Sequence, residues 1–411
     1  MNSNDRRTVA VASFAHGLVH TYELTIPLLI PIWMTTYTVD TAMIGFVVTV
    51  GYVLFGLGAL PSGILADSYD TRKLIAISVL GMGVGFVIIS LAPSIFILTI
   101  GLIVWGGSAS MYHPTGLSLI SRTVSERGRG LAFHGVAGNV GTAVGPLLVS
   151  VLLLELSWRY VASLLVAPAL LVGIVTLLVP IEKPARVSNG GMAVDPQGGF
   201  SMAEFGASSK RLFARGFAVI FLLVVLEGLF YRGILTFLPD VFDTVITSES
   251  AITADLFRGT SQYLYSGLLL VGVFGQYVGG WLVDRVNPVR GLVFVFIGLA
   301  GVSAMFAAIT QPSVWNLVPL SILLGVFLFG EQPLMQATVA DYSSSDTRGL
   351  SYGYTYAGVF GVGALGATIA GYVLTRASFS WLFGLLAILA IIAAIVSERL
   401  RRGDNRSLEV K

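Results

Sequence analysis

Near the N-terminus, three residues that could do chemistry stand in an otherwise apolar stretch: His16, His20 and Glu23. On an α-helix they fall within about 60° of one another and form a single polar stripe. Because histidine changes charge near physiological pH, the stripe predicts a proton relay or an anion ligand. The alternative is a satisfied hydrogen-bond network between helices.

A second pair, Glu227 and Arg232, lies in a later apolar segment. Five residues of helix turn them about 140° apart, so we expect the two side chains to have different partners. A carboxyl group in an apolar interior holds its proton more tightly, which predicts Glu227 as a coupling carboxylate. We predict Arg232 as a ligand for a substrate anion or as a gating charge. The alternative is a structural ion pair with a neighbouring helix.

A third group consists of polar residues scattered through three further apolar segments. Its members are Tyr112, His113, His134, Asn139, Glu331 and Gln332. We predict that they line a polar interior. For His113 the alternative is structural, since its ring could bridge a backbone carbonyl freed by the proline that follows it.

Several kinds of chemistry lack their sequence signals. The chain has no cysteine, and its histidines do not form an H-E-x-x-H zinc motif. It has no G-x-x-x-x-G-K-[ST] nucleotide-binding loop and no evident nucleophile–base pair. We therefore expect no metal, no cofactor and no enzymatic activity. A net charge of +2 without a basic patch gives no reason to expect nucleic acid as a partner.

The elements that position these residues must be membrane helices. Of 411 residues, 55% are hydrophobic and only 11% are charged, against roughly 25% charged in soluble domains. A spanning helix needs about 20 mainly apolar residues. Apolar runs between polar breaks predict twelve such helices. Their approximate bounds are 8–36, 41–64, 73–93, 95–122, 128–156, 159–181, 213–240, 261–283, 289–310, 315–340, 348–375 and 379–398.

The widest polar break divides the chain into two halves. Residues 182–212 are rich in Gly, Ser, Pro and basic residues and predict a cytoplasmic linker. We thus predict an all-α membrane protein with an N-terminal six-helix bundle at 1–181 and a C-terminal one, with a short tail, at 213–411.

Basic residues in the loops predict the orientation. Of the 24 lysines and arginines, only Arg159, Arg258 and Arg376 fall in loops on one face, while nearly all the others fall in loops and termini on the opposite face. Because cytoplasmic loops carry the positive excess, we expect both termini in the cytoplasm of a multi-pass protein of the inner or plasma membrane.

The two halves echo each other in sequence. G-I-L-A-D-S-Y-D-T-R-K at 63–73 corresponds to G-W-L-V-D-R-V-N-P-V-R at 280–290. His113-Pro114 corresponds to Gln332-Pro333, and Arg129-Gly130-Leu131 to Arg348-Gly349-Leu350. Internal duplication of this kind is typical of transporters whose two halves move about a central site.

These features resemble the major facilitator superfamily, whose signature joins helices 2 and 3. The resemblance implies a gating role for the loop at 63–73 and its weaker copy at 280–290. The residues concerned are Gly63, Asp67, Arg72, Lys73, Gly280, Asp284 and Arg290. Ser68 and Asp70 depart from the family pattern. The alternative is that the charges only mark orientation.

Within that family, residues 105–122 and 134–148 resemble fosmidomycin-resistance-type efflux proteins. The segment containing Gly141, Gly145 and Pro146 also resembles the glycine-proline motif of drug–proton antiporters, although Ala132, Leu148 and Val149 depart from it. These glycines predict helix flexing, with static close packing as the alternative.

Taken together, the sequence predicts a secondary transporter that exports a small molecule, a drug or a metabolite, in exchange for protons by alternating access. Its expected partners are that solute, protons and membrane lipid, and we expect a monomer. The first alternative is proton-coupled uptake of an organic anion bound by Arg232. A more remote alternative is a non-transporting membrane receptor.

Overall fold

The computed structural model describes residues 1–182, 202–249, 259–309, 313–343 and 348–409. Over these ranges the chain is helical and contains no strand. The described residues divide between two compact units. Unit 1 takes its residues from Met1–Leu29, Val47–Leu212 and Ser345–Gly361, and unit 2 takes its residues from Ile30–Phe46, Phe213–Ser344 and Val362–Lys411.

One helix of unit 1 packs against four of its neighbours. Its helices include α1 (Ser3–Tyr37, to Leu29), α2 (Thr41–Leu57, from Val47), α3 (Ala59–Ser68), α4 (Thr71–Leu91), α5 (Ile95–Ala109), α6 (Tyr112–Thr123), α7 (Arg127–Glu155), α8 (Trp158–Leu164), α9 (Val166–Leu178) and α10 (Met202–Leu212). This helix is α4, which packs against α5, α6, α8 and α9.

Unit 2 contains the end of α1 and the start of α2, within Ile30–Phe46, and continues at a π-helical turn, Phe213–Phe217. Its complete helices are α11 (Ala218–Leu235), α12 (Leu238–Glu249), α13 (Thr260–Val283), α14 (Pro288–Ala307), α15 (Val314–Asp341), α17 (Leu365–Arg376) and α18 (Phe379–Glu409). Between α15 and α17 in the chain, α16 (Arg348–Tyr356) belongs to unit 1. In unit 2, α13 packs on α15, and α14 packs on α15 and α18.

Eleven helices of the described residues are long and apolar enough to span a membrane, from Thr41–Ala66 to Phe379–Arg402. The first helix, α1, is not among them but runs for 35 residues. The polar side chains of His16, His20 and Glu23 lower the hydropathy of α1, but the helix continues through them. Counting α1 as a span gives the predicted twelve-helix fold, and the predicted spans match the helices to within a few residues.

Two local differences from the sequence prediction concern the linker and the fourth span. The end of the predicted linker, Met202–Leu212, is helical, whereas 183–201 lies outside the described residues. The fourth span is broken at 110–111, between α5 and α6, because the ring of Pro114 would collide with the carbonyl of Ser110, four positions earlier. The corresponding Pro333 lies inside the unbroken α15.

Candidate functional site

All four histidines of the chain meet in one cluster inside unit 1. The rings of His16 and His134 stack with their centroids 3.9 Å apart. The ring of His20 lies 4.8 Å from that of His16. The ring of His113 lies 5.3 Å from His16 and 5.4 Å from His20. The polar stripe of α1 is therefore joined by one residue of α6 and one of α7. We call this group the histidine cluster.

Close packing of α1 against α7 brings His134 to His16. A side chain at Gly141 would overlap the main chain of Gly17, and one at Gly145 would overlap Thr21. At Gly138 the missing side chain leaves room for the imidazole of His16, since a Cβ there would lie 2.7 Å from its Nδ1 atom. These glycines therefore have a close-packing role. The predicted flexing at Gly141, Gly145 and the buried Pro146 remains a prediction.

Hydrogen bonds fix most proton positions along α1. Nδ1 of His16 lies 2.8 Å from the carbonyl oxygen of His134, which can only accept, so Nδ1 donates. Nε2 of His16 lies 3.1 Å from Nε2 of His20, so one proton lies between them. Nδ1 of His20 lies 2.9 Å from Oε2 of the fully buried Glu23. This last contact also needs a proton, carried by either the imidazole or the carboxyl group.

The other members of the cluster contact aromatic residues. The hydroxyl of Tyr112 donates to the carbonyl oxygen of Ala12 and lies 3.1 Å from Nε2 of His134, which therefore donates to it. His113 packs against Tyr356 at 5.0 Å between ring centroids. Asn139 is half-buried on α7, and no described hydrogen bond joins it to the histidines. The roles predicted for His16, His20, Glu23, Tyr112, His113 and Asn139 remain predictions.

Unit 2 contains a separate pair of carboxyl groups. Glu227 of α11 and Glu331 of α15 are hydrogen-bonded through their side chains. Glu331 is 2% exposed, and Glu227 is more accessible. A hydrogen bond between two carboxyl groups requires at least one proton on the pair. We call Glu227 and Glu331 the carboxyl pair; its second member comes from the third group identified in the sequence.

Polar groups near the carboxyl pair in the chain also lie inside unit 2. Gln332 accepts a hydrogen bond from Nε2 of Gln276, at 3.1 Å. The side chain of Arg232 is 1% exposed, and its guanidinium carbon lies 5.4 Å from the ring centre of Tyr231. Gln276 was missed by the sequence analysis, because a single glutamine in a glycine-rich helix gives no distinguishing signal.

The motif at 63–73 lies at the junction of α3 and α4. Gly63 is half-buried and Lys73 is exposed, while Arg72 donates from Nη1 to the carbonyl oxygen of Val179 at 2.7 Å. The side chain of Asp67 lies outside the described residues. Asp70, a departure from the family pattern, caps α4 by accepting from the amide of Arg72 at 3.1 Å.

The second copy repeats this cap at the junction of α13 and α14. Asn287, which aligns with Asp70 in the internal repeat, caps α14 by accepting from the amide of Arg290 at 3.1 Å. Gly280 is half-buried, and the side chains of Asp284 and Arg290 are exposed. The duplicated sequence thus forms the same local structure twice. The gating role of both motifs remains a prediction.

Comparison with known proteins identifies the family. The family model of the Major Facilitator Superfamily matches residues 9–330 and 245–410. A probable hexose phosphate transport protein of Chlamydia pneumoniae is 24% identical over 377 residues, covering 83% of this chain and 78% of that protein. The gentisate transporter of Corynebacterium glutamicum is 25% identical over 388 residues, covering 89% and 81%.

A solved structure shows the same fold. The crystal structure of the nucleoside transporter NupG superimposes with a TM-score of 0.76 at 16% identity, covering 97% of this chain and 99% of that one. The predicted two-bundle fold of twelve helices and the predicted family are confirmed. The chain belongs to the Major Facilitator Superfamily, and it is a multi-pass membrane transporter of a small molecule and not an enzyme.

Proposed function

We propose that this transporter exports a small organic molecule, a drug or a metabolite, in exchange for protons, and that the carboxyl pair carries the coupled proton. The observation that carries the proposal is the hydrogen bond between Glu227 and Glu331 inside unit 2. Ionisable groups in spanning segments are costly and rare, and they commonly mark ion or substrate pathways.

The carboxyl pair has the chemistry that proton coupling requires. Two carboxylates in direct contact repel each other, so the fully ionised pair is disfavoured and one proton is retained. Oε2 of Glu227 and Oε1 of Glu331 have no hydrogen-bond partner among the described residues. These oxygens can accept a further donor. A cationic or hydroxylated solute, or a second proton, could bind there in alternation.

Two features of the sequence support exchange over ATP-driven transport. The chain has no G-x-x-x-x-G-K-[ST] loop for nucleotide binding. Residues 105–122 and 134–148 resemble efflux proteins, and Gly141, Gly145 and Pro146 match part of an antiporter motif. Export in exchange for protons is therefore the leading direction.

Uptake of an organic anion is the second candidate, and one residue favours it. The guanidinium of Arg232 lies inside unit 2 and can bind a carboxylate or phosphate through two parallel hydrogen bonds. Two relatives are named for gentisate and hexose phosphate, and both compounds carry an acidic group. Under this alternative Arg232 binds the solute, and the proton travels in the same direction.

We also propose the topology expected from the sequence: a monomer in the inner or plasma membrane, surrounded by lipid, with both termini in the cytoplasm and six-helix bundles at 1–181 and 213–411. Protease digestion of inside-out and right-side-out vesicles, with an epitope at either end, tests the orientation. Cleavage of the two ends from opposite faces would contradict it.

Proteoliposomes with an internal pH-sensitive dye separate the two directions. Solutes are first selected by a drug-susceptibility and metabolite screen of a deletion strain, with gentisate and glucose 6-phosphate included. Each solute is then added outside. Exchange makes the lumen alkaline as the solute enters, whereas symport makes it acidic.

The carboxyl pair is tested in the same assay. Glu227→Gln and Glu331→Gln should each abolish solute-driven proton movement, while Glu155→Gln, a change at an exposed position at the end of α7, should leave it intact. Full proton movement in both pair variants would remove the carboxyl pair from the mechanism.

A further inference from the structure

The Nε2 atoms of His16 and His20 point toward each other across one turn of α1. They lie 3.1 Å apart, and a ring nitrogen of His113 completes a group of three whose ligand atoms all lie within 4.8 Å. We propose that these three histidines bind one borderline divalent metal ion, Zn²⁺ in the experiments below. This inference is independent of the proposed function and departs from the expectation of no metal drawn from the sequence.

The distances suit a tetrahedral ion. Zinc binds imidazole nitrogen at about 2.0–2.1 Å, so two nitrogens on one tetrahedral ion lie about 3.4 Å apart. The two Nε2 atoms of α1 are already near that separation. His113 has to approach by about 1–1.5 Å, a distance that side-chain rotation supplies. Three protein ligands leave a fourth position for water or another ligand.

The second ring nitrogens provide independent support. Histidines that bind metals usually donate from the other ring nitrogen to a carbonyl or a carboxylate, which fixes the ring and its tautomer. Nδ1 of His16 donates to the carbonyl oxygen of His134 at 2.8 Å. Nδ1 of His20 faces Oε2 of Glu23 at 2.9 Å. Both outer partners of a metal site are therefore in position, and the two Nε2 atoms, 3.1 Å apart, remain for the ion.

The surroundings favour a borderline ion over a hard one. Imidazole ligands suit Zn²⁺, Cu²⁺ and Ni²⁺, whereas Mg²⁺ and Ca²⁺ prefer oxygen. His16 is buried, and aromatic rings border His113, with Phe55 at 5.9 Å and Tyr356 at 5.0 Å between centroids. A bound ion would link α1 to α6 within unit 1.

The composition of the chain makes the test clean. With no cysteine and all four histidines in the cluster, no thiolate and no imidazole outside the cluster competes for the ion. Protein purified in detergent without a polyhistidine tag is titrated with ZnCl₂ by calorimetry. We expect one saturable Zn²⁺ per chain and a higher melting temperature, because an ion that binds only the folded state stabilises it.

Zn²⁺ binding by single-residue variants distinguishes the three ligand histidines from the residues around them. His16→Gln, His20→Gln and His113→Gln should each weaken binding more than tenfold, and Glu23→Gln by about 10–100-fold through loss of an outer partner. The matched control is His134→Gln, because the substitution keeps the main-chain carbonyl oxygen that accepts from His16 and removes only a stacked ring that is not one of the three ligands. It should bind Zn²⁺ as the wild type does.

X-ray absorption at the zinc edge of the wild-type protein requires no variant to fold. Three nitrogen neighbours at about 2.0–2.1 Å with imidazole scattering are expected. Absence of saturable binding, absence of the imidazole signal, or equal weakening by His134→Gln would each overturn the proposal and leave the cluster as a hydrogen-bond network.

Discussion

Glu227 on α11 and Glu331 on α15 are hydrogen-bonded through their carboxyl groups, although more than one hundred residues separate them in the chain. From the sequence, Glu227 is predicted as a coupling carboxylate because it lies in an apolar helix. Glu331 is predicted only as one of several polar residues that line the interior. The alternative for Glu227 was a structural ion pair with a neighbouring helix. Its described partner is instead a second acid, Glu331, and not a basic residue.

The contact between α1 and α7 predicts that a Gly→Ala substitution has different effects on stability at two glycines of α7. Gly138→Ala should destabilise the protein by about 1–3 kcal/mol, because the new methyl group overlaps the ring of His16. The control is Gly135→Ala in the same helix, where a Cβ meets no atom within 4 Å. That change should be neutral or stabilise by up to about 1 kcal/mol. Thermal unfolding in detergent measures both, and equal effects would contradict the packing.

The start of α1 gives a prediction about pH. Asp5 is 1% exposed and accepts hydrogen bonds from the hydroxyl and amide of Ser125, and these lower the pKa of its carboxyl group below the ordinary 3.8. A lowered pKa stabilises the fold above about pH 4, and that contribution is lost as the pH falls through the lower, folded-state value.

Asp5→Asn should therefore lower the melting temperature at pH 7, and its difference from wild type should shrink below pH 4. Asp284→Asn serves as the control, because its carboxylate is exposed, and should change little at either pH. A difference for Asp5→Asn that stays constant from pH 7 to pH 3 would show that the carboxylate charge contributes nothing.

The repeated helix caps give a third prediction. Asp70→Ala and Asn287→Ala should each cost about 0.5–2 kcal/mol in the free energy of unfolding, because each removes the acceptor for an amide in the first turn of a helix. Asp70→Asn keeps an acceptor and should retain most of the stability. If it were as damaging as Asp70→Ala, the effect would come from charge and not from capping.

The fold was predictable from the sequence because its signals are local. Apolar segments of spanning length, broken by charged and turn-forming residues, gave twelve helices near their observed positions. The duplicated motif was also recognisable in the sequence. The helix caps at Asp70 and Asn287 confirm that both copies form the same local structure. Tertiary contact was not needed for these conclusions, since lipid requires each spanning segment to satisfy its own backbone.

The candidate sites could be predicted only in part from the same local signals. Helix periodicity put His16, His20 and Glu23 on one face of α1, but it says nothing about which helix that face meets. The meeting with His134 depends on α7 approaching α1 closely where glycines remove the side chains, and the meeting with His113 depends on the position of α6. The sequence alone determined a membrane-embedded, duplicated helical chain with a few inward polar groups. Only the packing of helices, which is set by the shapes of non-local surfaces, decided that four histidines form one cluster and two glutamates form one pair.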